Sequence, residues 1–88
     1  MTVKLTVCGI PFSVVEGSED FENFGHTEAM PAIIKLNPKC STQQREATLV
    51  HEWCHAVLIC NGVAHDEQVI ATLSTELYRH GFRVELEE

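Results

Sequence analysis

Two short segments near the N-terminus are patterned as strands. Residues 2–8 carry an apolar side chain at every second position, and residues 12–15 form a second β-prone run. A period of two is typical of a strand with one buried face. Gly9, Ile10 and Pro11 lie between the two runs and favour a turn. The pattern therefore predicts a β-hairpin.

The following segment combines a polar stretch with a third apolar run. Residues 16–30 are acidic and contain Gly17 and Gly25, so we expect a loop with room for one helical turn. Residues 31–36 are short and β-prone, and Asn37 ends the run before a proline. This run is predicted to be a third strand.

A long helix is predicted after the third strand. Ser41 and Gln44 have the spacing of a capping box, in which each side chain bonds to the backbone amide of the other residue. The helix should continue to about Cys60 and end at Asn61 and Gly62, which are good helix terminators. Its second half, from Trp53 to Cys60, is apolar nearly all round apart from His55, as expected for a helix covered on most sides.

A second helix is predicted from about Glu67 to His80, with Asp66 as its N-cap and Gly81 at its end. Residues 82–86 alternate again and are expected to form a short edge strand or a flexible end. The apolar stripe expected on this helix consists of Val69, Ile70, Leu73 and Leu77.

These elements predict one α+β domain over residues 1–88, with a three-stranded, mainly antiparallel sheet packed on two helices. The chain has 88 residues and a formal net charge of -7. Such a charge argues against direct binding to nucleic acid or to an anionic membrane. No run approaches the ~20 apolar residues needed to cross a bilayer, and no signal peptide is visible, so we expect a cytoplasmic protein.

The four cysteines do not form a recognisable ligand or disulfide pattern. Cys8, Cys40, Cys54 and Cys60 contain no CxxC pair. We expect them to behave mostly as small buried apolar residues in a reducing compartment.

The chemistry is concentrated in one motif of the first predicted helix. His51 and His55 are four residues apart, so both imidazoles project from one helix face. This spacing lets two nitrogens bind one Zn²⁺ at ~2.0–2.1 Å. Glu52 is turned ~100° from the first histidine and can accept a proton from a water activated by the metal. The motif therefore predicts a zinc site with Glu52 as general base.

A catalytic zinc usually has three protein ligands. The metzincin pattern would place a third histidine where Asn61 stands, so this class is excluded. The candidates that remain are His65, Asp66 and Glu67. A short connection should bring the second helix back antiparallel to the first, with its first turn beside His55. Position favours Glu67 as the ligand, because Asp66 is better explained as the N-cap.

The HExxH motif followed by a glutamate that opens an apolar helix resembles the ImmA/IrrE-type metallopeptidases and the minimal single-domain zincins called minigluzincins. The resemblance implies a minimal zincin-like fold, with His51, His55 and Glu67 as zinc ligands and Glu52 as general base. It also implies hydrolysis of a protein or peptide substrate. Because relatives of the ImmA/IrrE type act on DNA-binding repressors, it further implies regulatory proteolysis.

Three functional hypotheses follow. The first is a zinc-dependent metallopeptidase whose extended substrate pairs with an edge strand at residues 32–36. The second is a non-catalytic, zinc-stabilised module for protein–protein interaction. The third is a latent enzyme whose cleft is blocked by residues 82–88.

Overall fold

The structure is a computed structural model that describes residues 3–17 and 24–87. It is an α+β fold with a four-stranded mixed sheet and two helices. In chain order, the elements are β1 (Val3–Val7), β2 (Ile10–Glu16), β3 (Gly25–Ala29), β4 (Ala32–Leu36), α1 (Thr42–Cys60) and α2 (Glu67–Arg79).

The predicted N-terminal hairpin is present, with its turn earlier than expected. β1 and β2 are antiparallel, and Val7 pairs with Ile10. The two residues between them, Cys8 and Gly9, have φ angles of 51° and 80°. Positive φ at both central positions is the geometry of a two-residue hairpin turn whose twist matches that of its strands. Ile10 and Pro11 therefore belong to β2 and not to the turn.

The prediction of a loop over residues 16–30 is wrong for residues 25–29, which form β3. β3 is antiparallel to β4, and Ala29 pairs with Ala32 across a turn at Met30 and Pro31. The strand consists of Gly, His, Thr, Glu and Ala, so it lacks the apolar alternation by which a strand is recognised in a sequence. The helical turn allowed for in this segment falls partly on residues 18–23, which lie outside the described residues.

The extra strand also changes the sheet. The strand order is β1-β2-β4-β3, and β2 and β4 are parallel. The prediction of a three-stranded sheet is therefore wrong in strand number, and the sheet is mixed, with two antiparallel pairings and one parallel pairing. β4 lies inside the sheet between two partners, so residues 32–36 are not an edge strand. The edge of the sheet on this side is β3.

The core lies between the sheet and α1. Alternate residues of three strands point to this layer, which explains the period of two in the sequence. Ile34 of β4 and Ala56 of α1 are both fully buried, and Phe12 of β2 is 1% exposed. The other buried apolar residues of this cluster are Leu5, Val7, Val14, Leu36 and Leu49.

Both helix beginnings agree with the sequence. Ser41 and Gln44 form the capping box of α1. Asp66 caps α2 by accepting a hydrogen bond from the amide of Gln68, with a nitrogen–oxygen distance of 2.6 Å. Within the described residues, no helix is both long enough and apolar enough to span a membrane.

The apolar stripe expected on α2 is not buried as a unit. Ile70 is 2% exposed and faces α1, whereas Val69 and Leu73 are 53% and 55% exposed. Leu77 is also exposed, and Ser74 is buried instead. Among residues 3–17 and 24–87, the element with which α2 packs extensively is α1, so these residues cover one narrow face of α2. The covered face carries Ile70 and Ser74, whereas 68% of the side-chain surface of Glu67 is exposed.

The C-terminal segment packs on the outside of the domain. Phe82 lies against Trp53 of α1 with ring centroids 5.2 Å apart, and Trp53 itself is partly buried against the core. Glu87 and Lys4 exchange two backbone hydrogen bonds of 2.7 and 2.9 Å at the outer edge of β1. Residues 82–87 therefore fasten α2 to the sheet and do not line the cleft described below. The expectation that this tail blocks the cleft is wrong for these residues.

Candidate metal centre

α1 brings the two histidines of the motif together. The Nε2 atoms of His51 and His55 are 3.2 Å apart, and the ring centroids are 4.9 Å apart. Both side chains are largely buried, with 22% and 15% of their surface exposed. Two nitrogens held by one tetrahedral zinc at ~2.0–2.1 Å would be about 3.3 Å apart. The separation of the two nitrogens therefore suits a shared ion.

Glu67, the first residue of α2, completes the group. Its Oε1 lies 2.7 Å from Nε2 of His51, and its Oε2 lies 2.7 Å from Nε2 of His55. The ligand atoms of the three residues all lie within 4.8 Å of one another. Two imidazoles and one carboxylate, with the carboxylate on the open side, are a donor set that could hold a metal ion.

The other two candidates for third ligand have different surroundings. The Oδ1 atom of Asp66 is taken by the N-cap bond of α2. His65 lies behind His55, with its Nε2 atom 2.8 Å from Nδ1 of His55. Neither belongs to the group formed by His51, His55 and Glu67.

The second ring nitrogen of each histidine ligand, Nδ1, also has a hydrogen-bond partner. Nδ1 of His51 lies 3.2 Å from the hydroxyl of Ser74, and this hydroxyl also donates to the carbonyl of Ala71 at 3.3 Å. Because the Ser74 proton is used in that bond, its oxygen can accept from Nδ1 of His51. With an ion bound, His51 would keep its proton on Nδ1 and present the lone pair of Nε2 to the ion. Ser74 therefore orients the His51 ring as partners of metal-binding histidines commonly do.

Glu52 points to the other side of α1, toward β3. Its side chain is 6% exposed, and Oε1 accepts a hydrogen bond of 2.8 Å from the hydroxyl of Thr27. A buried carboxylate needs such a partner, because an unpaired charge in this position would be costly. β3 approaches closely enough for this contact because residue 25 is a glycine. A Cβ at Gly25 would lie 2.6 Å from Cγ2 of Thr48 and 3.0 Å from Oε2 of Glu52.

His51, His55, Glu67 and Glu52 all line one cleft of about 810 Å³ between β3, α1 and α2. Phe24 and Ile59 lie along it, and Tyr78 lies near the beginning of α1, where its hydroxyl donates to the carbonyl of Gln43 at 3.4 Å. This contact and that of Glu67 with His55 show that the two helices are antiparallel, as predicted. Of the remaining histidines, His26 also lines the cleft and is 47% exposed.

The cysteines of α1 do not join this group. Partial burial raises the pKa of the Cys54 thiol, so the thiol stays protonated at neutral pH and is a poor metal ligand. Burial, followed by the charge of the nearby Cys8, also raises the pKa of Cys60. All four cysteines are free thiols.

The sequence predictions missed the residues that support the metal group. Ser74 lies seven residues, or two helical turns, after Glu67, so helical spacing does place it on the same face. Thr27 and Gly25 had no comparable signal, because their segment lacks the apolar alternation of a strand and was predicted to be a loop. The sequence analysis named His65 as a candidate for the third ligand and did not predict its contact with His55.

No protein-family model matches this chain, and searches of curated proteins and of solved structures find no significant match. What can be said of its chemistry therefore comes from its own residues. The group of His51, His55 and Glu67 could hold a metal ion, with the buried carboxylate of Glu52 beside it in the same cleft.

Proposed function

We propose that the protein is a zinc-dependent metallopeptidase. His51, His55 and Glu67 would hold the zinc, and Glu52 would act as general base. The observation that carries this proposal is the convergence of three ligand atoms within 4.8 Å, in a cleft that Glu52 also lines. Three protein ligands leave a fourth position free, which is characteristic of catalytic rather than structural zinc sites.

The proposed role of Glu52 follows from how its carboxylate is held. Thr27 bonds to Oε1, so Oε2 is the oxygen that can accept a proton from an attacking water and return it to the leaving amine. A bound zinc would polarise the scissile carbonyl and lower the pKa of a water toward ~7. Because Glu52 is not a ligand in this arrangement, it can act on the proton without disturbing metal binding.

An extended protein or peptide segment is the proposed substrate. β3 is the edge of the sheet and contributes Gly25, His26 and Thr27 to the cleft wall. An extended segment could add to this edge by backbone hydrogen bonds, as in other cases of β-augmentation. β3 therefore replaces residues 32–36 as the proposed edge strand for substrate pairing. The resemblance to ImmA/IrrE-type enzymes extends the proposal to regulatory cleavage of a DNA-binding repressor.

One observation favours a second function, that of a zinc-stabilised interaction module without catalysis. Val69, Leu73 and Leu77 form an exposed apolar row on α2, on the side away from α1. Rows of this kind are common at protein–protein contacts. A module of this kind has no need of a proton acceptor at position 52, and this difference allows the two functions to be separated.

The test is a comparison of Glu52→Gln with the wild type on a panel of unstructured protein substrates. The amide cannot accept a proton, so we expect cleavage to slow by roughly 10²–10⁴-fold. Zinc content should be unchanged, because the amide replaces a group that is not a ligand. Glu85→Gln, which makes the same charge change on the exposed tail, is the control and should cleave like the wild type.

Two results would contradict the proposal. Cleavage that survives Glu52→Gln would have to come from another protease in the preparation. Zinc-loaded wild type that cleaves nothing across the panel would favour the interaction module.

A further inference from the structure

The connection between the two helices contributes a histidine to the metal group without supplying a ligand. Nε2 of His65 lies 2.8 Å from Nδ1 of His55, and Nδ1 of His65 lies 3.1 Å from the carbonyl oxygen of Val63. The His55 and His65 ring centroids are 4.9 Å apart. Three groups are therefore joined in a row that leads from the backbone of the connection to the candidate metal site.

The direction of these hydrogen bonds follows from the groups themselves. A carbonyl can only accept, so the Nδ1 atom of His65 must carry a proton. A neutral imidazole has one donor and one acceptor, so Nε2 of His65 then accepts from Nδ1 of His55. With an ion held between His55 and Glu67, whose Oε2 lies 2.7 Å from Nε2 of His55, this arrangement would leave the lone pair of His55 on Nε2, facing the ion.

The carbonyl that sets this direction is itself fixed. The amide of Val63 donates to the carbonyl of Leu58 at 2.9 Å, and the amide of Gly62 donates to that of Ile59 at 3.1 Å. Both bonds fold the connection back onto the last turn of α1. His55 lies one turn before Leu58 and Ile59. The helix that carries His55 therefore also holds the Val63 carbonyl in place, and this carbonyl orients His65.

We propose that His65 is a positioning residue, which fixes the His55 ring so that Nε2 binds the metal. Its role is the counterpart of that of Ser74 toward His51. The inference rests on the proposed metal site, but it does not depend on hydrolysis. Such partners are typically worth 10–100-fold in metal affinity.

The first measurement is zinc affinity, obtained by competition with a chromophoric chelator. His65→Phe keeps a planar ring and removes the acceptor, so we expect affinity to fall about 10–100-fold. His65→Gln places a carbonyl oxygen close to the lost Nε2 and should recover most of the affinity. His80→Phe is the matched control, because it removes an imidazole that is largely exposed and distant from the metal group, and should bind like the wild type.

The second measurement is nitrogen NMR of the zinc-loaded protein with labelled histidine rings. In the wild type and in His65→Gln, His55 should be bound through Nε2 and carry its proton on Nδ1. This spectrum decides the proposal even if His65→Phe does not fold. A merely structural role would lower the melting temperatures of the metal-free variants without a recovery of zinc affinity in His65→Gln.

The proposal is overturned if His65→Phe binds zinc as tightly as the wild type, or if His55 of the wild type binds through Nδ1. In both cases the zinc-binding part of the proposed function would stand. A wild type that binds no zinc at all would instead refute the proposed function and this inference together.

Discussion

The contact between β3 and the site helix makes a sharp prediction for Gly25→Ala. The new Cβ would lie 2.6 Å from Cγ2 of Thr48 and 3.0 Å from both Cγ and Oε2 of Glu52. Contacts under 3.0 Å cannot persist, so either β3 or the facing surface of α1 must move. The backbone at Gly25 does not have a positive φ. Alanine would therefore cause no backbone strain there, and its cost would come from the steric contacts alone.

The magnitude can be worked out from these contacts. Overpacking by one methyl group costs about 1–3 kcal/mol. In a domain of this size, each kcal/mol lowers the melting temperature by roughly 4–8 °C, so we expect a fall on the order of 10 °C. A shift of the Glu52 carboxylate by about 1 Å would also lower any hydrolysis by about 10²-fold.

A second substitution separates the two contacts. Thr48→Ser removes Cγ2, so the double variant Gly25→Ala/Thr48→Ser should regain most of the melting temperature. The contact with Glu52 remains in the double variant, so its hydrolysis should stay low. Thermal melting followed by circular dichroism is the assay for stability.

A control and a refuting outcome complete the design. Gly9→Ala places a methyl group in open space and suffers only from the φ of 80° at that position, so Thr48→Ser should not rescue it. The reasoning would be refuted if Gly25→Ala melted at or above the wild-type temperature. It would also be refuted if Thr48→Ser gave no recovery.

Two further predictions concern the third ligand and the tail. Glu67→Ala should lose most of its zinc in elemental analysis, and its melting temperature should no longer respond to a chelator. Asp66→Ala should keep its zinc and lose about 0.5–2 kcal/mol of stability with its N-cap. Loss of zinc in Asp66→Ala but not in Glu67→Ala would exclude Glu67 as the ligand. Deletion of residues 82–88 should lower the melting temperature without raising hydrolysis, because this segment covers part of α1 and its Arg83 bonds to Glu46 at 3.0 Å. A truncated chain that is as stable as the wild type and more active would contradict this prediction.

The sequence alone determined the elements whose signals are local. The capping box at Ser41, the N-cap at Asp66 and the helix end at Asn61 each depend on residues within one turn of one another. The spacing of His51 and His55 likewise fixes their common face through the helix period. These features could be predicted because the residues that interact are neighbours in the chain.

The tertiary structure alone decided which surfaces meet. β3 is a strand because it pairs with β4 and packs against α1, although its sequence, with Gly25 at its start, lacks the apolar alternation of a strand. The apolar pattern of α2 favoured burial of Leu73, yet the contact with α1 buries Ser74. In that orientation Ser74 reaches His51, and Glu67 reaches both histidines. Contacts between distant segments have no periodic signature in the sequence, so the partners of the metal group emerged only with the fold.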